Sequence, residues 1–137
     1  MAGLKFARFG TLPNKHGSLR WNGNVRDLSG VVGDYDGEKM SIDEAVERLD
    51  KAGVTVLVYS SPSHMWDGHG PRWRVCCPFS APLPPDQHYQ MMSRVNAVLG
   101  GVLASESWTL SQSYYYGTRR RWQGTTTRGK TWSVCNI

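Results

Sequence analysis

Cysteine is scarce in this 137-residue chain, and its spacing excludes two classes of small protein. Cys76 and Cys77 are adjacent and Cys135 stands alone, so the sequence holds neither a disulfide framework nor a Cys-x-x-Cys metal motif. Long apolar runs are also missing, because no stretch approaches the ~18 to 20 residues that span a bilayer, and the N-terminus lacks the apolar core of a signal peptide. We therefore expect one soluble domain over residues 1–137, located in the cytoplasm.

Acidic residues are few at both ends of the chain and are concentrated between them. Residues 1–30 carry five Lys or Arg against one Asp, and residues 105–137 carry five against one Glu. Residues 31–52 instead hold seven carboxylates against three basic groups. An acidic centre between basic flanks favours a polyanion that is held around a metal-binding carboxylate site.

The first half of the chain alternates strand and helix patterns. We expect a strand at residues 4–9 and a buried strand that ends at Asp36. A helix follows, because Ser41 and Glu44 form a capping-box pattern before apolar side chains that share one helical face. Residues 54–59 are apolar and β-branched, which predicts an interior strand that is parallel and adjacent to the strand ending at Asp36.

The second half adds a third strand, a second helix and two further strands. Residues 72–79 read as a strand that the following prolines close off, and a second helix begins at Asp86. A strand rich in Ser and Tyr is expected at residues 110–116, and a last strand near residues 130–134. These patterns predict an α/β sandwich in which about four to six strands carry both helices on one face.

Asp34 and Asp36 are separated by one residue near the end of a strand. Side chains two apart on a strand project from the same face, so the two carboxylates are expected to lie together. Hard oxygen ligands in this arrangement suit Mg²⁺ or Mn²⁺. Asp-x-Asp-Gly is also typical of a solvent-facing turn, and that alternative remains open.

Further polar groups follow the neighbouring strands. Hydroxyl and imidazole groups that can contact a phosphate come after the strand at residues 54–59, namely Ser61, Ser63 and His64. Arg72 and Arg74 alternate around Trp73, which sends both guanidinium groups to one face of the sheet and the indole to the other. Taken alone, the histidine suits a surface position, and the arginines suit structural salt bridges equally well.

Aromatic and basic side chains are interleaved towards the C-terminus. The cluster consists of Tyr114, Tyr116, Arg119, Arg120, Arg121 and Trp122. Aromatic faces can stack on bases and arginines can bind phosphates, so this cluster is a candidate binding surface for a single strand. A solvated hairpin turn is the alternative.

Four motifs occur in a family order along the chain. They are Gly-Asp-Tyr-Asp-Gly-Glu, Tyr-Ser-Ser-Pro-Ser-His, Pro-Arg-Trp-Arg-Val and Ala-Ser-Glu-Ser-Trp-Thr-Leu-Ser-Gln-Ser-Tyr-Tyr-Tyr-Gly. This succession, over roughly residues 28–117, resembles the primase-polymerase domain of phage and plasmid replication proteins, in the archaeo-eukaryotic primase superfamily. The resemblance implies an RRM-like mixed sheet with two main helices. It also implies a nucleotidyltransferase that uses nucleoside triphosphates on a single-stranded DNA or RNA template in replication.

The resemblance further implies roles for particular residues. Asp34 and Asp36 match the metal motif, and Glu106 is the candidate third ligand of Mg²⁺ or Mn²⁺. Pro62 stands where a strict Ser-x-His motif would need serine. The implied nucleotide-binding residues are Ser61, Ser63, His64, Arg72 and Arg74. The aromatic and basic cluster near the C-terminus would contact the nucleic acid.

Other functions remain open. Replication proteins of this kind continue into a helicase or a further replication domain, which would be a partner of this chain. A catalytically inactive, phage-derived protein of the same fold would instead bind nucleic acid or a host defence or nuclease complex. A rolling-circle nicking enzyme is disfavoured, because it needs two metal-binding histidines around one hydrophobic residue, whereas His64 and His69 are five apart.

Overall fold

The computed structural model describes residues 6–114, in which four strands form one antiparallel sheet with two α-helices. The strands are β1 (Ala7–Phe9), β2 (Val25–Tyr35), β3 (Leu57–Ser60) and β4 (Trp73–Leu83), and the helices are α1 (Ile42–Lys51) and α2 (His88–Leu99). Short 3₁₀ turns lie at Asn22–Asn24, Pro85–Gln87 and Ser105–Trp108. The expected α/β class is confirmed, but the mixed sheet is not, because all the described strand pairs are antiparallel. No helix in these residues is long and apolar enough to cross a membrane.

The sheet order is β1-β2-β4-β3, which corrects one prediction. β2 and β3 both pair antiparallel with β4, so they run in the same direction as predicted, but they are not adjacent. Val75 at the centre of β4 pairs with Gly33 on one side and Val58 on the other. The buried middle of β4 therefore takes the interior position, and β2, α1 and β3 form a split βαβ unit.

Helix α1 begins as its capping pattern predicts. The Ser41 hydroxyl accepts a hydrogen bond from the Glu44 amide at 3.1 Å, and Gly53 after the helix has a φ of 67°. The Glu44 carboxylate bonds Arg48 one turn later, which adds an i,i+4 pair. Helix α2 begins at His88 and not at Asp86, because the 3₁₀ turn at Pro85–Gln87 precedes it.

Three strand boundaries differ from those expected. β4 continues through Pro78 and Pro82 to Leu83, beyond its pairing with β3, where no described strand pairs with that edge and a missing N–H is tolerated. β3 begins only at Leu57, because the amide of Val54 still bonds the end of α1. The predicted strand at residues 110–116 is wrong for residues 110–114, which form a turn and irregular backbone. Residues 115–116 and the strand expected at 130–134 lie outside the described residues.

Both helices pack on one face of the sheet around a single core cluster. The cluster joins the helices to the sheet through residues that include Leu49, Met92, Leu99, Val31, Val75 and Cys77. Trp73 is fully buried in this core, stacked on Tyr35 with ring centroids 4.4 Å apart, and its Nε1 donates to the Met40 carbonyl at 2.9 Å. The predicted burial of Trp73 is confirmed.

We expect the two buried thiols to be unreactive in the folded protein. Burial raises the pKa of Cys76 and of Cys77 to about 11, which lowers the thiolate fraction at pH 8 about a hundredfold. Because these pKa values are raised by folding, they also disfavour the folded state as pH rises from about 9 to 11. In a Cys135→Ser variant, a thiol reagent at pH 8 should label the native chain far more slowly than the urea-unfolded chain. Equal labelling rates would contradict the burial.

Candidate metal site and its surroundings

An acidic group lies at the end of β2, on the sheet face opposite the helices. Gly33 and Tyr35 point into the core, so Asp34 between them points away from it. Asp36 follows directly after the strand, and Glu106 comes from the 3₁₀ turn at Ser105–Trp108. One carboxylate oxygen from each of Asp34, Asp36 and Glu106 lies within 4.8 Å of the other two. The structure thus assembles the three predicted acidic residues, and the group could hold a metal ion.

Hydrogen bonds to the backbone of Asp34 hold the segment that carries Glu106 beside this site. The amide of Ala104 donates to the Asp34 carbonyl at 2.8 Å, and the Asp34 amide donates to the Ser107 hydroxyl at 2.9 Å. Ser107 is almost fully buried, so its hydroxyl acts as a structural acceptor. The segment after α2 is therefore fixed against the strand that carries Asp34.

Arg74 lies opposite Asp34 in the β2–β4 register and pairs with it. Its Nε donates to Asp34 Oδ1 at 2.9 Å, and the two side chains are only 11% and 10% exposed. Burial raises the pKa of Asp34 above its ordinary value, although the charge of Arg74 opposes this change. Burial alone would lower the pKa of Arg74, but the charge of Asp34 raises it, so the guanidinium remains charged. The pair is a buried ion pair at the rim of the acidic site.

Arg72 contacts the acidic turn, which we define as residues 36–40 between β2 and α1. Its Nε and Nη2 lie 2.8 and 2.5 Å from Glu38 Oε1, whereas its Nε lies 3.9 Å from Asp36 Oδ1. The same Glu38 oxygen accepts a hydrogen bond from His69 Nδ1 at 2.7 Å. The hydrogen bond from His69 makes the largest contribution, and together with those from Arg72 it holds the pKa of Glu38 below its usual range.

The Ser/His loop, residues 61–72 between β3 and β4, approaches the site through Arg72. Ser61 and Ser63 hydroxyls are 3.4 Å apart, and Arg72 Nη1 lies 3.5 Å from the Ser63 hydroxyl. The ring of His64 is held within the loop, with Nδ1 2.9 Å from the Arg72 carbonyl. The predicted serines, histidine and arginines are therefore linked by contacts to the acidic residues, and their binding of a nucleotide remains a prediction.

Tyr114 is the last described residue, and it packs beside the site. The guanidinium of Arg74 lies over its ring, 4.7 Å from the centroid, and its hydroxyl donates to the Val32 carbonyl at 3.4 Å. Burial raises the pKa of Tyr114 to about 12. One ring face is thus occupied by Arg74. The other predicted nucleic-acid contacts lie outside the described residues: Tyr116, Arg119, Arg120, Arg121 and Trp122.

Two residues of the site were not anticipated from the sequence. Glu38 falls within the Gly-Asp-Tyr-Asp-Gly-Glu motif, but nothing in that motif indicates that it would bind a loop 31 positions away through His69. Ser107 lies in the last motif, and its hydrogen bond to the Asp34 backbone depends on how the segment after α2 packs. Both roles arise from contacts between distant parts of the chain.

Comparison of the chain with protein-family models, with curated proteins and with solved structures gives no match. The interpretation of the site therefore depends on its own geometry. That geometry consists of three clustered carboxylates, one of which is paired with the buried Arg74, and of a second arginine that contacts the Ser/His loop.

Proposed function

We propose that this chain is a primase-polymerase-like nucleotidyltransferase domain of phage or plasmid replication. It binds a nucleoside triphosphate, Mg²⁺ or Mn²⁺, and single-stranded DNA or RNA. The observation that carries the proposal is the approach of Asp34, Asp36 and Glu106 to within 4.8 Å of one another, beside Arg72. Three carboxylates are the hard oxygen ligands that such ions prefer.

The carboxylates and the residues around them have different roles in the proposed phosphoryl transfer. A divalent ion held by Asp34, Asp36 and Glu106 supplies positive charge against the triphosphate. Arg72 and Ser63 are near the site and can bind phosphate oxygens. His64 can donate a hydrogen bond from its Nε2 in the tautomer whose Nδ1 accepts from the Arg72 amide, 3.1 Å away. Positioning and charge stabilisation of this kind account for most of the catalysis in nucleotidyl transfer.

The two arginines are assigned different tasks. Arg72 is 23% exposed and can reach a phosphate, whereas Arg74 is 11% exposed and engaged with Asp34. In this proposal Arg74 fixes the orientation of the Asp34 carboxylate, and its positive charge lies close to the triphosphate site without contacting the phosphates. Replacing Arg74 would leave a buried carboxylate without its partner, so such a variant would test the fold as much as the binding.

Calorimetric titration of the parent chain with a nucleoside triphosphate, with and without Mn²⁺, tests the proposal. We expect binding that requires Mn²⁺, together with extension of a primed single-stranded template. Binding that is the same without the ion, or no binding at all, would overturn the proposal.

A non-catalytic nucleic-acid-binding protein of the same fold is the second candidate. The observation that favours it is the buried Arg74–Asp34 pair, which already neutralises one of the three carboxylates. Under this alternative the chain binds oligonucleotides but shows no Mn²⁺-dependent nucleotide binding. The same titration therefore separates the two functions.

Nucleic-acid binding should depend on salt through the basic run near the C-terminus. Arg119, Arg120 and Arg121 together can neutralise three phosphates, which predicts a slope of about −2 in log affinity against log salt for a single strand. Replacing all three with alanine should flatten this dependence between about 50 and 200 mM salt, measured by fluorescence anisotropy. Asp36→Asn is the matched control and should leave the slope unchanged. If the triple variant binds as tightly as the parent, the nucleic acid must bind to another part of the chain.

A further inference from the structure

The acidic turn is held in a constrained conformation. The Tyr35 hydroxyl accepts hydrogen bonds from the amides of Lys39 and Met40, at 3.0 and 2.7 Å. Glu38 precedes these two residues in the turn and has a φ of 58°, in the left-handed region that favours glycine. A non-glycine residue persists in this region when surrounding contacts fix it, and such residues concentrate at functional sites.

The Glu38 side chain provides those contacts. It accepts hydrogen bonds from His69 and Arg72, which lie at the far end of the Ser/His loop. The backbones also approach closely, because a Cβ built on Gly70 would lie 2.5 Å from the Glu38 carbonyl oxygen. Glu38 thus fastens the Ser/His loop to the turn that carries Asp36.

Arg72 has two carboxylates within reach, and Glu38 holds it. Its guanidinium nitrogens lie 2.5 and 2.8 Å from Glu38, against 3.9 Å for the approach to Asp36. An arginine in full contact with Asp36 would compete with a cation for that carboxylate. With Arg72 turned to Glu38, the Asp36 oxygen is left beside those of Asp34 and Glu106.

We propose that Glu38 is a positioning residue that keeps Arg72 off Asp36 and docks the Ser/His loop beside the carboxylates. It leaves Asp36 accessible to a divalent cation and positions Nη1 of Arg72 beside the Ser63 hydroxyl. The part of this inference that concerns the cation rests on the proposed function, whereas the docking of the loop does not.

Hydrogen exchange measured by mass spectrometry tests the docking. In Glu38→Gln, which keeps the size of the side chain but loses its charge, peptides from residues 61–72 should exchange about tenfold faster, since bonds to charged groups are the stronger ones. Peptides from α2 in the same sample are the control and should be unchanged. Unaltered exchange in residues 61–72 would overturn the docking role.

A double-mutant cycle with Mn²⁺ tests the protection of Asp36. Calorimetry with Mn²⁺ alone is done on the parent, Glu38→Gln, Arg72→Gln and the double variant. We expect Glu38→Gln to weaken Mn²⁺ binding about tenfold in the parent background, and less than about twofold when Arg72 is already glutamine. A general loss of negative charge would weaken binding by the same factor in both backgrounds, and that result would overturn the inference.

Two further results keep the outcomes distinct. Glu44→Gln removes a carboxylate that is paired with Arg48 on α1, and it should leave Mn²⁺ affinity unchanged. If the parent chain binds no Mn²⁺, both the proposed function and the protection of Asp36 fail, while the exchange experiment still decides the docking. If the parent binds Mn²⁺ and the cycle shows no coupling, only the inference about Glu38 fails.

Discussion

Replacing Asp36 with asparagine should abolish Mn²⁺-dependent nucleotide binding and nucleotidyl transfer while leaving the fold intact. Asp36 supplies one of the three carboxylates. Loss of a direct ligand should weaken binding of the ion by more than about a hundredfold, because changes to residues that merely contact the ligands already weaken it by up to about that factor. The side chain of Asp36 is 41% exposed and Arg72 approaches it only to 3.9 Å, so the expected change in stability is within about 0.5 kcal/mol. Calorimetry and primer extension measure the loss, and urea unfolding measures the stability.

Asp50→Asn is the matched control for this prediction. Asp50 is an exposed carboxylate on α1, across the sheet from the site, and the same charge change there should alter neither binding nor unfolding. Retention of Mn²⁺-dependent affinity within about twofold in Asp36→Asn would remove this carboxylate from the metal site, because a direct ligand cannot be lost at so small a cost.

Asp34 is a less discriminating position for the same test. Asp34→Asn should also abolish metal binding, but it leaves the guanidinium of Arg74 buried without a counter-charge. Removing one member of a buried ion pair costs about 3 to 5 kcal/mol. A loss of binding in Asp34→Asn would therefore mix ligand loss with unfolding, which Asp36→Asn avoids.

Local signals in the sequence predicted the parts of the fold that local physics controls. The Ser41 cap and the spacing of apolar residues located α1, because a cap acts within one turn of the helix. The order of the sheet depends on pairing between distant strands, and Val75 could meet Gly33 and Val58 only after two long connections closed. The predicted adjacency of β2 and β3 failed at this step.

The same distinction applies to the site. The spacing of Asp34 and Asp36 and the alternation around Trp73 were sufficient to predict which side chains share a face. The pairing of Asp34 with Arg74 depends on the register of β2 against β4, which a one-residue shift would change entirely. Glu38 depends on the docking of the Ser/His loop, for which the sequence carries no periodic signal.

Trp73→Ala should strongly destabilise the fold by truncating a core side chain. Its indole is fully buried, stacks on Tyr35, and donates to the Met40 carbonyl at 2.9 Å. Truncating a buried tryptophan costs about 3 to 5 kcal/mol, which is much of the stability of a domain of this size. Urea unfolding followed by circular dichroism should show a midpoint that falls steeply or a chain that is largely unfolded.

Two companion variants separate the contributions of Trp73. Trp73→Phe keeps an aromatic ring against Tyr35 but removes the donor to Met40, so it should cost less than the alanine change and still loosen the acidic turn. Tyr89→Ala removes an aromatic ring that is 70% exposed on α2, and its unfolding midpoint should stay close to that of the parent. An alanine variant at Trp73 as stable as Tyr89→Ala would show that the stack on Tyr35 does not hold the end of β2. The conformation of the acidic turn would then need another cause.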